Sequence, residues 1–201
     1  MKIVDVIALI IGLEAAAAPA LPAADRIAPP EVPAIIEAPA GYKPFLIAHA
    51  VGTQNYICAP SPTGPKWLFI GPQATVFDAD GEQKLTHFQS TNPLQADAIQ
   101  ATWQHSKDSS VVWGRKQFGS TDINYVSPDA IEWLLLEVTG GVAGPTGGDK
   151  MLAADFIQRV NTVGGKEPLA ACTAAIINQR QLVPYEADYV FYRQGNSRGG
   201  H

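Results

Sequence analysis

Imidazole and carboxylate side chains are the groups in this 201-residue chain that could hold a metal ion. A site that combines both kinds of group would suit zinc, copper or iron. The candidates are His49, His87 and His105, together with Asp78, Asp80 and Asp108. No histidine pair stands at His-x-His, His-x-x-x-His or His-Glu-x-x-His spacing, so spacing alone predicts no site. His87 is the most suitable ligand, because it follows a predicted hairpin and could face a cleft.

A second set of residues could bind an organic molecule. Arg159 stands in an otherwise apolar segment, where an arginine needs an anionic partner. It could clamp an anionic ligand, or it could form an inter-strand salt bridge with Glu186 or Asp188. Aromatic side chains, Trp103 and Trp113 foremost, could line a groove for a sugar or a hydrophobic ligand, or could form the core. The other aromatic candidates are Tyr56, Trp67, Trp133, Tyr185 and Tyr189.

Other patterns that often carry chemistry are incomplete. Asp78-x-Asp80-Gly81 is similar to the start of a calcium loop, but the later ligands are missing and a hairpin turn explains it. Asp108, Ser109 and Ser110 lack a Gly-x-Ser-x-Gly elbow. The paired glycines fit neither a dinucleotide fingerprint nor a phosphate loop. The sequence therefore gives no catalytic residue and leaves enzyme activity open.

Composition and charge narrow the class of partner. Charged residues make up 16% of the chain and its formal net charge is −5. Nucleic-acid binding needs a basic surface that neutralises phosphates, so we expect no nucleic-acid partner. A small molecule or a glycan remains suitable, and no cofactor beyond the metal ion considered above is expected.

The amino-terminal region is typical of export, although imperfectly. Residues 1–24 have Lys2, an apolar stretch and then small residues, but Asp5 and Glu14 interrupt the pattern. An amphipathic or disordered terminus on a cytosolic protein is the alternative. We predict a signal peptide and a periplasmic or extracellular location. No stretch of the mature chain approaches the roughly 20 apolar residues that span a bilayer.

The mature chain is predicted to form one domain. Four prolines between residues 25 and 41 predict an extended linker. A single domain is expected over residues 42–193, followed by a disordered tail at 194–201. Cys58 and Cys172 are the only cysteines, and in an exported chain they would form one disulfide. Two buried thiols would be expected in a cytosolic chain.

The pattern of short strands and Gly/Pro turns predicts an all-β fold, a mainly antiparallel sandwich or barrel with one or two short helices. Asp80-Gly81 predicts a hairpin that pairs residues 75–77 with residues 84–88. The closing segment has Tyr185, Ala187, Tyr189 and Phe191 at period two, which predicts a strand with one aromatic face.

The remaining elements follow from composition and spacing. Asn92-Pro93 with Leu94, Ala98 and Ala101 predicts a short helix over residues 90–101. Strands are expected at residues 102–105, 110–114, 123–126, 130–138 and 156–162, the last preceded by one helical turn.

Several motifs in this order resemble the family called domain of unknown function 3455, found in exported bacterial and fungal proteins. They include residues 52–58 (GTQNYIC), 131–136 (IEWLLL), 157–165 (IQRVNTVGG) and 184–192 (PYEADYVFY). The resemblance runs from about residue 52 to residue 192. It implies export and a single β-rich domain, and it supplies no activity.

Two hypotheses of function follow. The first is an exported binding or structural module without catalysis, because a well-marked β framework lacks any catalytic constellation. The alternative is a metal-dependent enzyme that uses His87 with His49 or His105.

Overall fold

Eight antiparallel strands form a closed barrel in this computed structural model, which describes residues 27–195. Each strand pairs with the next along the chain, and the last pairs with the first, so the sheet has no free edge. The strands are β1 (Tyr42–Ala59), β2 (Lys66–Phe77), β3 (Gln83–Asn92), β4 (Ala98–His105), β5 (Val111–Ser120), β6 (Trp133–Val142), β7 (Phe156–Gly164) and β8 (Arg180–Gln194). The all-β prediction is confirmed. Of the two architectures predicted, the structure has the barrel and not the sandwich.

The barrel has an inner and an outer apolar layer because side chains alternate along each strand. Tyr185, Ala187, Tyr189 and Phe191 of β8 belong to the inner core, as their period-two spacing predicts. The predicted hairpin is also confirmed, since Thr75 pairs with Thr86 and Val76 with Leu85. On β6, Leu134 and Leu136 face inward, whereas Trp133 and Leu135 belong to an outer cluster.

The helical content consists of three short 3-10 turns in the described residues, at Ala34–Ile36, Lys150–Ala153 and Ala174–Ile176. None of these is long and apolar enough to cross a bilayer.

The prediction of a helix over residues 90–101 is wrong. The chain there ends β3, turns and begins β4. The Asn92 side-chain oxygen accepts the Leu94 N–H at 2.9 Å, which closes a local turn in place of a helix cap. Ala96 and Asp97 have φ angles of 50° and 59°, which a right-handed helix does not contain.

The prediction of a strand at residues 123–126 is also wrong. The Asp122 carbonyl accepts the N–H groups of Tyr125 and Val126 at 2.9 and 2.8 Å, so the segment is a turn. Val126 is buried in the outer cluster, which explains why an apolar residue stands in this turn.

Part of the predicted linker packs against the barrel. Ile36 is fully buried in the outer cluster against Val190 and Tyr192, and its carbonyl accepts a 2.6 Å hydrogen bond from Gln158 Nε2. The proline-rich segment is extended on both sides of the 3-10 turn. It packs on the outer face of the sheet, however, and is not a linker free of contacts with the barrel. The predicted signal peptide and residues 196–201 of the predicted tail lie outside the described residues.

One end of the barrel is covered by the β7–β8 connection, residues 165–179, which we call the cap loop. The predicted Cys58–Cys172 disulfide is confirmed, with a Cα–Cα distance of 5.4 Å, and it joins the end of β1 to the cap loop. Trp67 Nε1 donates to the Ala170 carbonyl at 2.8 Å, and the Tyr56 hydroxyl donates to the Gly165 carbonyl at 2.8 Å. The cap loop is therefore fixed by one covalent bond and by two buried side chains of β1 and β2.

The opposite end is filled by the 3-10 turn at Lys150–Ala153. Met151 of this turn is buried in the inner core. Asp108 holds the turn in place, since its carboxylate accepts the Lys150 N–H at 3.1 Å and the Ser110 hydroxyl at 2.6 Å. These bonds lower the pKa of Asp108 to about 2, although its desolvation opposes them.

Loss of the disulfide should destabilise the barrel. The bridge spans 114 residues, for which the chain-entropy model gives up to about 4 to 5 kcal/mol. We expect the Cys58→Ser/Cys172→Ser variant to lose unfolding free energy up to that amount in equilibrium urea unfolding. The wild-type protein under a reductant should fall to the same value. Equal midpoints for the oxidised protein and the double variant would contradict this.

Candidate functional site

A cavity of about 510 Å³ lies inside the barrel at the end where the cap loop sits, which we call the mouth. It reaches solvent, because Phe69 and Ile99 line it and are 45% and 71% exposed. Residues of all eight strands contribute to its wall, most of them through inward-facing positions. Those with polar or aromatic side chains include Gln54, Tyr56, Phe69, His87, Gln89, Trp103, Arg159 and Tyr189.

Three rings form the floor of the cavity. The imidazole of His87 stacks on the indole of Trp103, with centroids 4.4 Å apart and an interplanar angle of 14°. Tyr189 meets both rings edge-on, at 4.9 and 5.3 Å. Gly114 provides the room for Trp103, because a Cβ there would lie 3.0 Å from the indole Cζ3. The strand register dictates this cluster, since His87 and Trp103 are direct partners on β3 and β4.

His87 is held as a neutral imidazole. Its Nδ1 lies 2.9 Å from the Thr102 carbonyl, so Nδ1 carries the hydrogen and Nε2 keeps its lone pair. Burial lowers the pKa of His87 to about 3, and the Thr102 bond offsets only part of that effect. His87 therefore offers an acceptor, not a positive charge, at neutral pH.

Arg159 brings a charge into the barrel from β7. Its Nε and Nη2 donate to the Glu132 carbonyl at 3.2 and 2.9 Å. Within residues 27–195 no carboxylate lies within 4.0 Å of the guanidinium. Glu186 and Asp188 contact His49 on the outer face instead, so the predicted inter-strand salt bridge is not formed.

Among residues 27–195, three buried N–H donors have no hydrogen-bond partner. Gln54 Nε2 and Trp103 Nε1 belong to residues that line the cavity, and Trp133 Nε1 does not. Leaving such a donor unpaired costs roughly 1 to 3 kcal/mol, so most buried polar groups in proteins are paired. Nearby, the hydroxyls of Tyr185 and Tyr189 lie 3.4 Å apart, and burial raises the pKa of both. The wall thus presents hydrogen-bonding capacity that the protein itself does not use.

The three candidate histidines occupy different places. His49 is on the outer face of β1, with Nδ1 2.8 Å from Asp188, whereas His87 points into the barrel. His105 lies at the opposite end of the barrel from the mouth, and its Nδ1 accepts the Asp108 N–H at 3.1 Å. In the part of the chain that the structure describes, no group of three or more His, Cys, Asp or Glu side chains is arranged to hold a metal ion.

Of the other predicted ligand residues, some point into the barrel and one does not. Arg159 and Trp103 line the cavity, and Trp113 does not. The Trp113 indole donates instead to Ser90 Oγ at 2.9 Å and is buried. The sequence reasoning missed Gln54, although its period-two spacing with Gly52 and Tyr56 indicates the same face of β1 as other lining residues.

Comparison with known proteins gives a family. The model described as Protein of unknown function (DUF3455) matches residues 39–193. The chain belongs to this family. The resemblance drawn from the motifs is therefore confirmed, and the DUF3455 match covers all eight strands of the barrel. No curated protein and no solved structure matches the chain.

The buried neutral His87 of this DUF3455 barrel should make stability depend on pH. The ordinary pKa of 6.5 applies to the unfolded chain, whereas the folded state takes up the proton only near 3. The unfolded state therefore binds more protons between these values, and stability falls as the pH is lowered through that window. Between pH 7 and pH 5 the expected loss from His87 is about 2 kcal/mol.

The His87→Phe variant, which keeps a ring against Trp103, should lose this part of the pH dependence in urea unfolding at pH 7 and pH 5. The matched variant is His49→Gln, whose side chain is exposed on the outer face. We expect it to retain the wild-type difference. An unchanged difference in His87→Phe would show that burial does not hold this imidazole neutral.

Proposed function

We propose that this DUF3455 chain is an exported binding module that takes a small organic molecule into the barrel cavity without transforming it. The observation that carries this proposal is the solvent-connected cavity of about 510 Å³ inside the barrel, which is lined by both aromatic and polar side chains. A bound molecule would cover the apolar part of this wall and meet its polar groups.

The size and lining of the cavity support a small-molecule ligand. Its volume of about 510 Å³ lies within the roughly 300 to 1,000 Å³ typical of such sites. The wall includes apolar side chains from β6 and aromatic side chains from β2, β4 and β8, and eight of its nineteen residues are polar or charged. This combination suits a ligand with an apolar body and a small number of acceptors.

The groups in the wall support binding rather than catalysis. The lining contains no serine, threonine or cysteine that His87 could activate as a nucleophile. Its carboxylate, Glu132, is paired with Lys116 at 2.5 Å. His87 Nε2 is an acceptor beside the indole of Trp103, and this arrangement can orient a ligand donor without any proton transfer.

Export is supported by the disulfide. Structural disulfides persist in oxidising compartments and are rare in reducing ones. The Cys58–Cys172 bridge also fixes the cap loop beside the mouth.

Binding can be tested with N-phenyl-1-naphthylamine, a neutral apolar molecule whose fluorescence rises when it leaves water. We expect saturable binding of one molecule per chain. The Ala101→Phe variant places a ring in the cavity wall and should weaken binding at least about tenfold. Ala79→Phe, in the exposed β2–β3 turn, is the matched control and should bind as the wild type does.

Circular dichroism of both variants reports whether the barrel is intact. No saturable binding by the folded wild-type protein would refute the proposal, and so would equal binding by a folded Ala101→Phe variant. Displacement of the dye by a soluble oligosaccharide, but by no apolar compound, would also contradict the apolar ligand inferred here.

A further inference from the structure

We propose that the ligand of the cavity carries a carboxylate, which binds the Arg159 guanidinium while a flat apolar body rests against the aromatic wall. This inference rests on the proposed binding function and specifies the chemical class of the ligand.

The first argument is the state of Arg159. An arginine in a largely apolar enclosure is stabilised by an anion that accepts its N–H groups in pairs. The guanidinium here donates to one neutral carbonyl, that of Glu132, lies within reach of the Tyr189 hydroxyl, and has no carboxylate partner in the described residues. It therefore retains donors for a further acceptor, and planar carboxylates fit these donors best.

The second argument is the balance of charge around the cavity. The charged residues of the wall are Arg115, Lys116, Glu132 and Arg159. Lys116 is paired with Glu132 at 2.5 Å, and Arg115 with Glu137 at 3.0 Å. Among the described residues, Arg159 is thus the cation of the wall that lacks a carboxylate, and a monoanionic ligand would balance it.

The third argument is the reach of the Arg159 charge within the barrel. The guanidinium lowers the pKa of His87, which burial also lowers and by more. It lowers the pKa of Tyr56, Tyr185 and Tyr189 as well, where burial raises the pKa and is the larger effect. These four side chains belong to the cavity and the core beneath it. The guanidinium therefore faces the enclosed volume rather than the outer surface.

The body of the ligand follows from the rest of the wall. Trp103 presents a flat indole, and Leu134, Leu136 and Ile131 add aliphatic contacts. A free inorganic oxyanion would use Arg159 but none of these apolar groups. We therefore commit to an organic carboxylate and treat simple anions as an outcome of the test.

The test is displacement of N-phenyl-1-naphthylamine by two ligands of the same shape, 2-naphthoate and 2-naphthylmethanol, at pH 7.5. In the wild-type protein we expect 2-naphthoate to bind at least about tenfold more tightly than the alcohol. In Arg159→Gln the preference for 2-naphthoate over the alcohol should fall below about twofold. Arg159→Lys should retain part of the preference, because it keeps the charge and loses the planar fork.

Arg193→Gln is the matched control, since it removes the same charge at the opposite end of the barrel. It should preserve the wild-type preference. Circular dichroism shows whether Arg159→Gln is folded. Dye binding with equal affinities for both naphthalenes would overturn the carboxylate inference and leave the binding function intact.

Other outcomes are equally decisive. If neither the dye nor 2-naphthoate binds, by fluorescence and by calorimetry, the binding function fails as well. If sodium sulfate displaces the dye at the same concentration as 2-naphthoate, the site is a simple anion site and the apolar body is refuted.

Discussion

Pairing of β1 with β8 is the constraint on which the other features depend. It closes the sheet, and closure makes the inward faces of eight strands share one enclosed volume. An eight-stranded barrel encloses just enough space to be filled by side chains or to hold one small ligand. Here the end with Met151 is filled, and the end beside the cap loop contains the cavity.

Small side chains on the inner face of β1 leave room in the barrel for large side chains from other strands. Ala48, Ala50 and Gly52 follow each other on the inner face of β1, and a Cβ on Gly52 would lie 2.2 Å from the Gln73 carbonyl oxygen. The interior is filled from other strands, by Trp103, Tyr185 and Tyr189. Their rings stop short of the mouth, and the polar ends of Arg159 and Gln54 enter the remaining space. The polar groups of the cavity wall thus lie beside the apolar core at one end of the barrel.

A period-two pattern was enough to predict the aromatic face of β8, and the Asp80-Gly81 turn was enough to predict the β2–β3 hairpin. Cys58 and Cys172 were predictable as a pair because they are the only cysteines in the chain. The partner of Arg159 was not predictable. The Arg159 guanidinium contacts either the Glu186 carboxylate or the Glu132 carbonyl, depending on which face of β8 points into the barrel. Asn92 was misinterpreted because an Asx turn and a helix cap use the same side-chain bond. The burial of Ile36 was not predictable either, because it depends on apolar residues on the outer face of the sheet that are far from Ile36 in the sequence.

An experimental structure of the oxidised protein with 2-naphthoate tests the account most directly. The account predicts the naphthalene inside the barrel beside Trp103, with the carboxylate on Arg159 and the β1–β8 pairing intact. A ligand on the outer face, or a barrel interior already filled by the side chains of Gln54, Trp103 and Arg159, would contradict it.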